Sequence, residues 1–95
     1  MDAAVVYHAP LHDPLARAVA GYEAVFGLDA PAPTRFGCYE VRHETRRYIV
    51  VGNVFRVFMV YRILPSGALQ LLGNWPAEFN ARHHDRVRCH VLRTV

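Results

Sequence analysis

Six histidines, two cysteines, one serine and eleven arginines are the residues of this 95-residue chain whose types could do chemistry. Four of the histidines form two groups, His8 and His12 beside Asp13, and His83 and His84 beside Asp85. A metal needs convergent ligands, but His8 and His12 straddle Pro10, and the neighbouring side chains of His83 and His84 diverge on a helix or a strand alike. The spacing therefore predicts solvated or capping histidines, with no metal site and no cofactor. Cys38 and Cys89 belong to no CxxC pair, and without a secretory leader they read as reduced thiols. Ser66 stands in the Pro65-Ser66-Gly67 turn, where it has a turn-forming role. Carboxylates beyond the N-terminal third are limited to Glu40, Glu44, Glu78 and Asp85, and the six glycines are scattered singly, so no phosphate loop is present. No catalytic constellation emerges, and the expectation is a protein that is not an enzyme.

The arginines are the remaining chemistry. Arg42, Arg46, Arg47, Arg56, Arg62, Arg86 and Arg88 all fall on or beside predicted strands. Each guanidinium is a planar fork suited to phosphate or carboxylate, and Tyr48 or Phe58 nearby could stack on a base or a partner's side chain. A single strand arginine is an ordinary solvated residue. As a set, with a net charge of +3 and a pI near 9.2, they favour an acidic or polyanionic partner. Every basic residue is Arg and none is Lys, which points to a GC-rich genome.

The elements that must position these residues follow from periodicity. Asp13 is a good N-cap, Pro14 suits the first helical position, and Leu15, Val19, Tyr22 and Phe26 recur at helical spacing before Gly27. Residues 14–26 are predicted to be one amphipathic helix. After the proline-rich 28–34 the period changes to two, with Tyr39 and Val41 opposite Cys38, Glu40 and Arg42. A polar turn over 43–47, a strand from Arg47 to Gly52, a long strand from Val54 to Leu64 and a return through Leu69 to Trp75 complete a meander. Ala3–His8 reads as a short strand, Pro76 starts a short helix, and Arg86–Val95 reads as a closing strand with Val87, Cys89 and Val91 on one side. The fold class is α+β: a single domain over 1–95 with no room for a second core, a small antiparallel sheet of four to five strands packed on one amphipathic helix, and a short second helix. Tyr22, Phe26, Val57, Met59, Tyr61 and Leu71 are expected to share that core.

One helix covers one face. On the long strand Arg56, Phe58, Val60 and Arg62 fall on the other face, an apolar patch framed by arginines, with Arg47 and Tyr48 on the strand beside it. Such a face either meets a partner or is buried by a sheet that curls into a half-barrel. The leading expectation is a non-enzymatic binding module of a bacterium, phage or mobile element, acting through these six residues or through a sheet edge. Its partner is a protein or a second copy forming a homodimer, ahead of nucleic acid. No apolar run reaches the roughly 18 residues that span a bilayer, so no membrane partner is expected and the chain reads as cytoplasmic.

The stretch "RRYIVVGNVFRVFMVYRIL" with "ALQLLGNW", about residues 46–75, resembles the sheet region of the RelE/ParE toxin superfamily, in which an Arg-rich strand, a Gly and a "YR" strand precede a hairpin. Members are small basic α+β proteins that cleave ribosome-bound messenger RNA or inhibit gyrase. The resemblance implies a working sheet carrying Arg47, Arg56 and Arg62. The chain departs from the family in having one helix rather than two before the sheet and in its closing segment, and no catalytic role is carried over.

Overall fold

The computed structural model describes residues 13–27 and 29–94. The strand expected at Ala3–His8 lies outside them, as do His8 and His12. Helix α1 (Pro14–Phe26) starts as its sequence dictates: the Asp13 carboxylate accepts from the Leu15 amide at 3.0 Å, and Pro14 opens the first turn. Gly27, at φ 71°, ends it and donates its N–H to the Glu23 carbonyl at 2.9 Å.

A single helical turn at Arg35–Gly37 leads into strands β1 (Tyr39–His43), β2 (Arg46–Gly52), β3 (Val57–Ile63) and β4 (Leu69–Leu71). They form one antiparallel sheet in the order of the chain. Helices α2 (Ala77–Ala81) and α3 (His83–Thr94) follow. The α+β class and the antiparallel sheet are as the sequence predicts, with four strands among the described residues. No helix there is long and apolar enough to cross a membrane.

The closing segment corrects the sequence reading, because it is a helix and not a strand. The alternation of Val87, Cys89 and Val91 is genuine, but Phe79, His83, Val87 and Val91 recur every four residues, which is helical spacing. The first three of these are buried and Val91 half-buried. Packing decides between the two periods, since only a helix can lay that whole row onto the open side of the sheet.

The sheet therefore separates two apolar layers, where one core was expected. Ala18 and Tyr22 of α1 pack with Cys38, Ile49, Val51, Tyr61 and Ile63 on one side. Tyr39, Tyr48, Val50 and Val60 pack with Phe79 and Val87 on the other. A register shift at Val51 and Gly52, where Val51 faces Met59 but Gly52 faces Val57, inserts Phe58 as an extra residue in β3. Phe58 and Met59 both join the α1 layer, and Val57 crosses to the other. The expected core set is thus divided: Tyr22 and Tyr61 are buried together, Val57 lies in the opposite layer, and Phe26 and Leu71 are exposed.

Candidate functional site

The surface expected from Arg56, Phe58, Val60 and Arg62 is not one face. Val60 is 0% exposed and lies in the layer closed by Phe79 and Val87, and Tyr48 is buried beside it, its ring edge-on to Phe79 at 5.1 Å. The sheet did not curl; the C-terminal helices cover it. Phe58, displaced by the bulge, stacks on Tyr22 at 5.9 Å with the Arg56 guanidinium 5.3 Å over its ring. Arg62 pairs in register with Tyr48 and Gln70, at the other end of β3 from Arg56.

His83 also corrects the reading of the histidines. It is 2% exposed, whereas His84 beside it is exposed, so the pair does diverge but only one member is solvated. The His83 Nε2–H donates to the Asn53 carbonyl at 2.7 Å, which leaves Nδ1 to accept from the Tyr39 hydroxyl at 2.6 Å. One imidazole thus ties α3 to β1 and to the β2–β3 turn. Among the described residues no group of three or more His, Cys, Asp or Glu is placed to hold a metal ion. Cys38 is buried and Cys89 exposed, both as free thiols.

Burial pushes the Tyr39 phenol up to about 12, against the pull of Arg86. Between pH 10 and about 12 the unfolded chain has lost this proton while the folded chain retains it, so stability is fully present below that window and falls across it. Urea midpoints taken below and through the window should decline for the wild type and decline less steeply for Tyr39→Phe. Some slope remains in the variant, because burial also raises Tyr22 and Tyr61.

Where the arginines do converge is the end of the sheet at which the β1–β2 and β3–β4 turns meet. A cleft of about 260 Å³ there is lined by Thr45, Arg46, Arg47 and Arg62 together with Ile63, Leu64, Pro65 and Gly67. Register accounts for the meeting, since Arg47 faces Ile63 and Tyr48 faces Arg62 across β2 and β3. Arg46, Arg47 and Arg62 line the cleft and no acidic residue does. By strand alternation Arg46 and Arg62 share one face of the sheet, and Arg47 turns to the α1 face. Arg47 is partly neutralised by a bidentate pair with Glu40, at 2.6 and 3.1 Å. Arg62 has a buried Nε with no hydrogen-bond partner, and so does Arg17, whose Nη2 donates to the Gly67 carbonyl at 2.9 Å on the cleft wall.

The turn that carries Arg46 is itself unusual. Glu44 and Thr45 both have positive φ, 50° and 69°, the geometry of a two-residue hairpin turn normally given to Asn and Gly. A β-branched threonine held there is strained, and such strain concentrates at functional positions. The cleft can hold an oxyanion of phosphate size through guanidinium donors.

A larger cleft of about 430 Å³ between β1 and α3 sets Arg82 and Arg86 against Glu40 and Asp85, so its charges offset. Sequence reasoning named Arg62 on the apolar face and Arg47 on the strand beside it; that the β1–β2 and β3–β4 turns meet at one end of the sheet needs the register. No family model, no curated protein and no solved structure matches the chain.

Proposed function

We propose that this protein is a non-enzymatic binding module that grips the phosphate backbone of a nucleic acid in the cleft of Arg46, Arg47 and Arg62. The observation that carries the reading is a cleft lining that includes three arginines and no acidic residue. A guanidinium is the side-chain group best shaped to hold phosphate oxygens in pairs. A protein partner on the apolar face is disfavoured because Val60 and Tyr48 are already covered. The net charge of +3 supplies weak long-range attraction of the same sign.

Anisotropy titrations with labelled single-stranded RNA and DNA at a series of salt concentrations test it. Affinity should fall with salt, and Arg46→Gln and Arg62→Gln should each weaken binding to every sequence and flatten the logarithmic salt dependence by roughly one unit. Affinity independent of salt, or variants that bind as the wild type does, would overturn the reading. Growth inhibition on expression that Arg62→Gln abolishes would favour the RelE/ParE-like toxin instead.

A further inference from the structure

The two edges of the sheet are protected unequally. Strand β1 carries Glu40, Arg42 and His43 along its free edge, the charged residues that normally keep an open edge from pairing. Strand β4 carries none: from Ala68 to Trp75 the chain reads Ala-Leu-Gln-Leu-Leu-Gly-Asn-Trp, with no charge and no proline. Leu71, the last residue of β4, is 44% exposed.

The direction of the free backbone groups follows from the ladder to β3. Leu64 donates to the Ala68 carbonyl at 2.8 Å, and Leu72 donates to the Val60 carbonyl at 3.1 Å. Residues 68, 70 and 72 therefore turn their N–H and C=O groups inward, and by alternation those of Leu69 and Leu71 point away from the sheet. The edge offers donors and acceptors with no partner among the described residues.

We infer that β4 pairs antiparallel with β4 of a second copy about a two-fold axis at Gln70, joining two sheets into one of eight strands. This arrangement satisfies the edge with itself. Leu69 of one copy faces Leu71 of the other, and each such pair exchanges two backbone hydrogen bonds. Both leucines lie on the α1 side of the sheet: Leu69 packs against that layer, and Leu71 sits in register with Tyr61 of it. The exposed Leu71 thus gains an apolar cross-strand neighbour. Gln70 meets Gln70 as a close pair whose neutral amides can hydrogen-bond, where a charged residue would meet its own like charge. The absence of charge fits a second copy, because the two-fold sets the axis residue Gln70 against itself and its neighbours against one another, so that no like charges meet.

The inference is independent of the arginine cleft. Sedimentation of the full chain should give a particle of twice the 10.8 kDa chain mass, dissociating on dilution. Leu71→Lys should give a folded monomer. Leu71→Pro should do the same, since the N–H it removes points outward and the ladder to β3 is left whole. In a Cys89→Ser background, Gln70→Cys should form an intermolecular disulfide under mild oxidation, the Cα atoms of such a close pair being about 4.5 Å apart. A wild type that stays monomeric at the highest concentrations reached overturns the inference. So does a dimer that survives both Leu71 variants, or one that forms while Gln70→Cys fails to cross-link. If both Leu71 variants unfold, the cross-link alone decides.

Discussion

Phe79→Ala should lower the stability of the folded chain by about 3–5 kcal/mol, the range for removing a fully buried aromatic ring. Phe79 is 0% exposed and is the largest fully buried side chain among the described residues. Its ring meets Tyr48 edge-on at 5.1 Å and His43 at 5.3 Å, and the Arg86 guanidinium lies 5.4 Å over it. Truncation leaves a cavity where α2, β1 and β2 meet, and it strips Arg86 of the ring it lies over. Against a total of roughly 5–15 kcal/mol, such a loss leaves the C-terminal layer barely held. Urea unfolding by circular dichroism reads it directly. A midpoint equal to that of the wild type would mean that α2 and α3 do not close the second layer.

Gly37→Ala should be as damaging for a different reason. A Cβ on Gly37 would stand 2.4 Å from the Cα and carbonyl carbon of Asn53 and 2.5 Å from its oxygen, all of them backbone atoms. The obstacle cannot rotate away, and its surroundings hold it. The Asn53 carbonyl accepts from His83, its amide donates to the Arg56 carbonyl at 3.1 Å, and its Oδ1 accepts from the amides of Phe55 and Arg56, each at 2.8 Å. Separating the two segments breaks that set, so the cost should reach or exceed the roughly 3 kcal/mol at the upper end for core overpacking. Gly73→Ala is the control, because nothing lies within 4 Å of a Cβ there. Thermal melts should fall steeply for the first and hardly move for the second. Equal melts would show that the Arg35–Gly37 turn does not pack on the β2–β3 turn as described.

The parts of the fold that local chemistry controls were legible from the letters. Asp13, Pro14 and Gly27 bound α1, and the β-branched run before Gly52 is β2, because a cap, a ring and a missing side chain act on their own neighbours. Strand β3 was misread because alternation assumes that no residue is inserted. The bulge at Phe58 depends on how tightly Gly52 lets the chain fold against Arg56, whose carbonyl oxygen would lie 2.3 Å from a Cβ at Gly52. Across α2 and α3, Val87, Cys89 and Val91 satisfy a strand and Phe79, His83, Val87 and Val91 satisfy helical spacing, and only the uncovered sheet chooses. The arginines behave similarly: their number could be counted, but Arg62 comes beside Arg46 and Arg47 only once β2 and β3 are in register.

The His83 tie also has a bearing on the order in which the chain is made. The sheet is a succession of hairpins, each strand beside the next, so it can form from local contacts while synthesis is still under way. The imidazole that fastens Tyr39 and Asn53 arrives thirty residues after the second of them, on a helix that follows all four strands. Until then Tyr48, Val50 and Val60 face outward on a sheet that already exists, with α1 covering only the opposite side. A nascent chain stalled or cut before Phe79 is therefore sticky, and its vulnerability is set by the time taken to translate the last helices.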